Sequence, residues 1–251
     1  MILRLIDETY RVAWSDFCYL RNNFATIMLT VLIMPLLYFV TFAFGLGNYV
    51  DEIDGVSYVA FVIPGIVSLS TVTSCFSSTA NKIMVQRRFY SSFDEILLCP
   101  ISPSAVVLGK TTVGFIKGMI CSIALMLLGV FMTGDMHITV LLVLLMALSC
   151  MVFSLLGVLA GFIVKGLPTM NLFNSLVILP MTFLSGTLFS ISAYPPLAQT
   201  IVNVLPLTHT TSCIRAAALG WDIPYLSLIV LVAYGILFFI LAYYLLVKGK
   251  V

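Results

Sequence analysis

Charged residues are scarce in this sequence. Asp, Glu, Lys and Arg together make up 9% of its 251 residues, against roughly 25% in an ordinary soluble domain. Apolar residues make up 61%, and the mean hydropathy is +1.16. One soluble core cannot bury so much apolar surface, so the composition excludes a soluble globular domain, a disordered chain and a nucleic-acid binder. The chain instead has room for several membrane spans of about 20 residues each.

Groups that carry out catalysis or bind metals are also scarce. The two histidines and six cysteines have spacings that predict neither a metal site nor an intrachain disulfide framework. Asp135 and His137 share a short turn, which we interpret as a solvated loop. Gly109-Lys110-Thr111 matches the end of a Walker A nucleotide-binding motif, but Ser104 stands where that motif needs glycine. We therefore predict no catalytic residue, metal or cofactor on this chain, and interpret Lys110 as an anchor at the membrane interface.

Six long apolar segments predict six transmembrane helices, because an unpaired backbone is not tolerated in lipid. We place the spans at residues 24–45, 58–79, 113–133, 138–164, 169–189 and 225–247. Residues 1–23 carry apolar side chains at helical spacing, such as Tyr10 and Phe17, with Glu8 on the opposite side. This pattern predicts an amphipathic helix lying on the membrane surface. The predicted fold is an all-α integral membrane protein with one transmembrane domain over residues 1–251.

The distribution of Lys and Arg predicts the orientation. Every Lys and Arg except Arg215 falls on one side of the predicted spans. Since basic residues concentrate in cytoplasmic loops, both termini are predicted to be cytoplasmic. The predicted spans are nearly free of ionisable residues. The exception is Lys117, which is close enough to the cytoplasmic face to extend its amine to water. Ion-coupled transporters usually keep ionisable groups at membrane depth, so any uphill transport is expected to draw its energy from a partner.

The cytoplasmic loop at residues 86–110 has helical signals of its own. Ser92 and Glu95 form a capping box that opens a short helix, and Pro100 ends it. Ser102 is then predicted to cap a second helix, which starts at Pro103 and runs into the third span. The short helix is a candidate docking element; the alternative, that it packs only against its own bundle, stays open. Its candidate residues are Ser92, Phe93, Asp94, Glu95, Ile96, Leu97, Leu98 and Pro100.

The outer segment, residues 190–224, predicts two half-length helices broken at Pro206 and ending at Gly220. Such a pair is typical of a re-entrant hairpin that dips into the outer leaflet.

The outer half of the fifth span is unusually polar, which makes it a candidate wall of a substrate path. Candidate path residues are Tyr38 and Phe42 in the first span and Thr182, Phe183 and Ser185 in the fifth. Ordinary helix packing is the alternative for each of them.

Four motifs follow one another along the chain: Phe61-Val62-Ile63-Pro64-Gly65, Phe93-Asp94-Glu95-Ile96-Leu97-Leu98-Cys99-Pro100-Ile101-Ser102-Pro103, Leu179-Pro180-Met181-Thr182-Phe183-Leu184-Ser185-Gly186, and Pro195-Pro196 with Leu205-Pro206-Leu207-Thr208-His209. Taken in this order, they resemble the membrane subunit of a prokaryotic type-2 ATP-binding-cassette (ABC) exporter. The resemblance covers nearly the whole chain.

The resemblance implies a half-transporter of the cytoplasmic (inner) membrane that forms a homodimer and binds two copies of a separate cytoplasmic ATPase. ATP and Mg²⁺ would then be held by that ATPase. The helix at residues 92–99 would be the coupling helix, and the substrate path would form at the dimer interface. Hydrophobic drugs, lipid-like compounds and lipid-linked glycans or polysaccharides all remain open as substrates. A non-transporting scaffold or sensor subunit is the alternative from another class.

Overall fold

The structure, a computed structural model, describes residues 2–46, 52–53, 55–90, 92–133, 138–189 and 194–249. Asp135 and His137 lie outside the described residues. The helices are α1 (Ile2–Asn22), α2 (Phe24–Val40), α3 (Tyr58–Arg88), α4 (Ser92–Leu98), α5 (Pro103–Thr133), α6 (Val140–Ile163), α7 (Leu167–Phe173), α8 (Leu179–Leu184), α9 (Pro196–Val202), α10 (Pro206–Leu219) and α11 (Tyr225–Val247). Two π-helical segments, Thr41–Leu46 and Asn174–Ile178, follow α2 and α7. A two-residue antiparallel ladder pairs β1 (Glu52–Ile53) with β2 (Val56–Ser57).

Five helical segments among the described residues are long and apolar enough to cross a membrane. They are α3, α5, α6, the continuous stretch Leu167–Leu184 and α11. A sixth is counted if α1 and α2, which are bent by 83° at Asn23, form one broken span. The helical architecture therefore agrees with the sequence prediction, and α11 begins and ends at the predicted residues.

Some helices end at residues other than the predicted span boundaries, and one element was not predicted. Helix α3 runs on to Arg88, nine residues beyond the predicted span. The fifth span ends early, because Ser185–Phe189 leave the helix and Gly186 adopts a positive φ of 67°. The short ladder of β1 and β2 was not predicted, since two residues per strand carry no detectable alternation.

Helix α1 lies across the end of the bundle, as its amphipathic pattern predicts. Tyr10, Trp14 and Phe17 stack along its exposed side, with ring centroids 5.4 and 6.1 Å apart. Glu8, predicted on the side opposite Tyr10 and Phe17, is buried with Asp16 against the bundle. The three aromatic rings therefore remain free for lipid, while α1 contacts the bundle through Val12, Leu20 and the two acidic side chains.

Helix α3 is the centre of the bundle: 89% of its most apolar stretch is buried, against 17% for α11. Two small-residue motifs in the sequence, Gly114-x-x-x-Gly118 on α5 and Gly157-x-x-x-Gly161 on α6, pack against it. A Cβ atom on Gly114 would lie 2.0 Å from the Thr79 hydroxyl, and one on Gly157 would lie 2.9 Å from the Phe76 carbonyl oxygen. The close helix crossings that these motifs predict are thus made within one chain.

The segment before α11 contains the two predicted short helices, α9 and α10. Pro206 begins α10, and Gly220 ends it in the left-handed conformation, with φ 71°. Helix α10 is buried along most of its length and packs against α3, α6 and α11. These contacts make α10 an integral part of the bundle.

Candidate functional sites

One end of the bundle, called here the basic end, brings together α1, α4, the start of α5 and the last turns of α3 and α6. Phe93 anchors α4 there: its ring is fully buried and meets the Phe162 ring edge-on at 5.5 Å. Burial of such a ring is worth about 2 kcal/mol. Beside it, Arg87 donates hydrogen bonds of 2.7 and 2.6 Å to the carbonyl oxygens of Gly161 and Phe162. Those carbonyls belong to the last turn of α6, where backbone acceptors have no helical partner.

The opposite side of α4 faces away from the bundle. Leu97 and Leu98 are 43% and 87% exposed, and Asp94 and Glu95 are exposed beside them. Ile96 is half-buried, and Pro100 is exposed just after the helix. The candidate docking helix thus has one anchored side and one free side, and we call its free side (Asp94, Glu95, Leu97 and Leu98) the docking face.

The predicted cap of α4 is displaced. Ser92 lies inside the first turn instead of before it, and among the described residues no hydrogen bond joins the Ser92 hydroxyl to Glu95. The helix therefore begins one residue earlier than the capping box implied. Its position depends on the tertiary anchor at Phe93 more than on local capping.

Helix α1 is joined to the start of α5 by a carboxylate. Glu8 accepts hydrogen bonds from the Ser102 main-chain N–H at 2.9 Å and from the Ser102 hydroxyl at 2.5 Å. Ser102 was predicted to cap α5 with its own side chain; instead its hydroxyl donates to Glu8. These bonds, with a further one from Arg4, lower the pKa of Glu8 to about 2. A carboxylate at a helix N-terminus also interacts favourably with the helix dipole.

The Walker-like tripeptide in α5 has a structural role. A Cβ atom on Gly109 would lie 2.7 Å from Val12, so this glycine lets α1 approach α5 closely. Lys110 is buried, and its amine donates to the Gln86 side chain at 2.9 Å and lies 3.5 Å from Asp16. The interpretation of Lys110 as an interfacial anchor was therefore wrong, because its amine points into the helix junction.

A polar groove runs along α3 between α1, α2 and α5. It comprises two cavities of about 480 and 520 Å³ that share five lining residues. The shared residues are Tyr19, Ser77, Ser78, Asn81 and Lys117. Sequence analysis missed this site, although Ser77 and Asn81 have the i, i+4 spacing of one helical face and Lys117 was already noted as the charge within a span.

The predicted path residues are placed differently from one another. Tyr38 and Phe42 are half-buried and stack at 6.4 Å, and Phe183 is 55% exposed. Thr182 and Ser185 are buried, and their hydroxyls donate to the carbonyl oxygens of Leu179 and Met181 in the same segment. Only the aromatic members of the set therefore present a free surface in this chain.

Arg215 on α10 has the partners that its position requires. Its guanidinium lies 3.7 Å from the centre of the Phe61 ring and donates to the carbonyl oxygens of Phe61, Gly186 and Thr187. Gly65 makes this arrangement possible, since a Cβ atom there would lie 1.8 Å from the Thr187 carbonyl oxygen. The turn after α8 is thus fastened to α3 by Arg215.

Within the described residues, no group of three or more His, Cys, Asp or Glu side chains could hold a metal ion. His209 is held between the Ser227 hydroxyl at 3.1 Å and the Asn203 carbonyl oxygen at 2.8 Å. A structural role accounts for this histidine.

The long apolar helices and their packing define a multi-pass α-helical membrane protein. The chain belongs to the ABC-2 type transporter family, whose model matches residues 8–219. It is 26% identical to the inner membrane transport permease YadH of Escherichia coli (strain K12) over 236 residues, covering 91% of this chain and 92% of that protein. It is 29% identical to nodulation protein J of Sinorhizobium fredii (strain NBRC 101917 / NGR234), covering 70% and 68%. Nodulation protein J of Rhizobium meliloti (strain 1021) is 27% identical, covering 77% and 74%.

The family assignment confirms the resemblance found in the sequence. Members of the family are membrane transport subunits, and the likeness to YadH together with the apolar helices supports a multi-pass protein of an inner membrane.

Proposed function

We propose that this chain is the transmembrane permease subunit of an ATP-driven exporter, and that a separate cytoplasmic ATPase supplies the energy. ATP and Mg²⁺ are held by that ATPase. Two permease subunits, as a homodimer, form the translocation path and bind two ATPase subunits. The cargo is a hydrophobic or amphipathic compound, drug or lipid-like; a lipid-linked glycan or polysaccharide is the alternative cargo.

The docking face of α4 carries this proposal. Leu97 and Leu98 expose apolar surface at the basic end, flanked by Asp94 and Glu95. The buried Phe93 ring anchors the other side of the helix to the bundle. An exposed apolar patch with a polar rim is typical of a protein–protein contact. In the proposed orientation both termini and the docking face are cytoplasmic, and the turn at residues 165–168 forms a second contact.

The contacts of α4 also suggest how a displacement of α4 by the ATPase is transmitted to the other helices. Phe93 links α4 to α6, and Arg87 links the end of α3 to the same helix. Glu8 links the start of α5 to α1. A displacement of α4 therefore reaches α6 and α3 through side-chain contacts, and it reaches the contact between α5 and α1 through the chain that leads from α4 to Ser102. The proposed path lies beyond them, where Tyr38, Phe42 and Phe183 present their rings.

The test is reconstitution of the purified permease with its partner ATPase in liposomes. We expect the two proteins to co-purify and the permease to change the ATP turnover of the ATPase. The control is an ATPase inactivated in its own nucleotide site, which should bind the permease without turnover. ATP turnover that is the same with and without the permease would favour the non-transporting scaffold instead.

A further inference from the structure

The polar groove contains hydrogen-bonding groups without protein partners. The Lys117 amine forms no hydrogen bond or ion pair with any described residue, and the side chains of Ser77, Ser78 and Asn81 form none with the part of the chain that is described. Helical serines usually donate to the carbonyl four residues earlier, as Ser70 and Ser68 do in the same helix. The free donors in the groove are therefore available to a ligand.

The groove also has an excess of positive charge. Lys82 and Lys117 line the groove. Together with the buried Lys110 behind it, they lie around one carboxylate, Asp16. Asp16 is already bound by Lys82 at 2.9 Å and approached by Lys110 at 3.5 Å. Lys117 is the amine left over, and it is half-buried. An ionisable residue within a membrane helix that lacks a protein partner is a strong indication of a ligand site.

The wall that α2 contributes is mostly apolar. It is formed by Ile27, Val31, Met34 and Pro35, with Thr26 and Thr30 beside them. The groove thus presents donors and a positive charge on α3 and α5, and hydrocarbon on α2. Its two cavities, at about 480 and 520 Å³, have the size of sites for small ligands.

We infer that the polar groove binds the anionic head of an amphiphile, with the Lys117 amine paired to the head and the apolar chain lying along α2. The donors at Ser77, Ser78 and Asn81 suit the oxygen atoms of a phosphate, sulfate or carboxylate head. A zwitterionic head places a second positive charge near Lys82 and Lys117, so it binds less tightly. The inference that this amphiphile is the exported cargo rests on the proposed function; the binding itself does not.

Binding is tested on the permease alone, in nanodiscs of phosphatidylcholine, with phosphatidylglycerol that carries a photoactivatable acyl chain. We expect cross-links to α2 and competition by unlabelled phosphatidylglycerol at about tenfold lower concentration than by added lysophosphatidylcholine, which is the factor expected for one charged hydrogen bond. Lys117→Gln should abolish the preference and Lys117→Arg should keep it. Lys248→Gln, which removes an exposed lysine at the end of α11, is the matched control.

A second variant separates loss of binding from misfolding of the Lys117→Gln protein. Asn81 is exposed on the groove wall, so Asn81→Ala should fold normally and still weaken competition by phosphatidylglycerol. Equal competition by the two lipids, or an unchanged preference in both Lys117→Gln and Asn81→Ala, would overturn the site. Absence of cross-links in the dimer would also overturn it, since the second subunit would then fill the groove.

The cargo is tested separately with the ATPase present. Phosphatidylglycerol should stimulate ATP turnover of the wild-type complex, and Lys117→Gln should reduce that stimulation. Cross-linking that depends on Lys117 without any stimulation would refute the cargo assignment and leave a site for a bound membrane lipid. A permease that fails to engage the ATPase at all would refute the proposed function, while the cross-linking result would stand.

Discussion

The Glu8 carboxylate accepts a 2.9 Å hydrogen bond from the main-chain N–H of Ser102, the residue just before α5. An acidic side chain of α1 thereby satisfies one of the unpaired donors at the start of another helix. Because Ser102 follows the α4 segment closely in sequence, the surface helix α1 and the docking face share a common attachment point. The contact predicts that the attachment of α1 to the bundle depends on pH and is weakened by Glu8→Gln.

Loss of the Glu8 charge should release α1. Bonds from Ser102 lower the pKa of Glu8 from 4.5 to about 2, so the charged form stabilises docking above pH 4.5 and this contribution is lost as the pH falls towards 2. In a Trp221→Phe background with Glu8 unchanged, we expect acrylamide quenching of Trp14 to rise over that interval. Glu8→Gln should show the released quenching already at pH 7 and no change down to pH 3; a titration identical to that of the wild type would contradict the contact.

Gly65 should tolerate no side chain. A Cβ atom there would lie 1.8 Å from the Thr187 carbonyl oxygen, a main-chain atom that Arg215 holds in place. Overpacking of this kind costs typically about 1–3 kcal/mol. We expect Gly65→Ala to lower the thermal unfolding midpoint in detergent by roughly 2–4 °C per kcal/mol.

The matched control for Gly65 is Gly235→Ala on α11. There the added Cβ meets only a methyl group of Val152, at 3.3 Å, which can move aside. Equal unfolding midpoints for the two alanine variants would show that the turn at Thr187 is not fixed against α3.

The orientation of the chain in the membrane can be tested by labelling a native thiol. Cys99 is exposed, at the end of the docking helix. A membrane-impermeant maleimide should spare Cys99 in sealed cells and modify it after permeabilisation, with Cys99→Ser as the blank. Asp51→Cys and Asp135→Cys, both outside the described residues, should react in sealed cells. Modification of Cys99 or of Arg88→Cys without permeabilisation would reverse the proposed topology.

The residues near the proposed path should separate into two groups. Phe183 is exposed, so Phe183→Ala should change which compounds stimulate the ATPase while the dimer still assembles. Thr182 and Ser185 are buried, so Thr182→Leu and Ser185→Leu should reduce assembly and lower the response to all compounds together. Selective changes from the leucine variants, without loss of assembly, would instead place these two side chains on the path.

The features that the sequence predicted well depend on neighbouring residues. Pro100 and Pro103 bound the docking helix on one side, and Tyr225–Val247 form a span flanked by Pro224 and Lys248. The two short helices on either side of Pro206 have equally local signals. Proline, glycine and apolar length act within a few residues and need no tertiary partner to be recognised.

The features that it missed depend on residues far apart in the chain. Ser102 looked like a local cap, but its hydroxyl donates to Glu8, 94 positions away. Lys110 looked like an interfacial residue until Asp16 and Gln86 appeared beside it. The polar groove combines Tyr19, α3 and Lys117, and no pattern in one segment reports such a juxtaposition.

The docking face of α4 tests the central claim most directly. Leu97→Asp with Leu98→Asp places two charges on the proposed ATPase contact, while the buried Phe93 anchor is untouched. Leu197→Asp, at a leucine on α9 that is as exposed as Leu98, is the matched control. The measurement is permease-dependent ATP turnover in proteoliposomes. We predict that the double variant assembles as a dimer but loses that turnover, whereas Leu197→Asp keeps it; wild-type turnover in the double variant would contradict the proposal that this exporter is driven through α4.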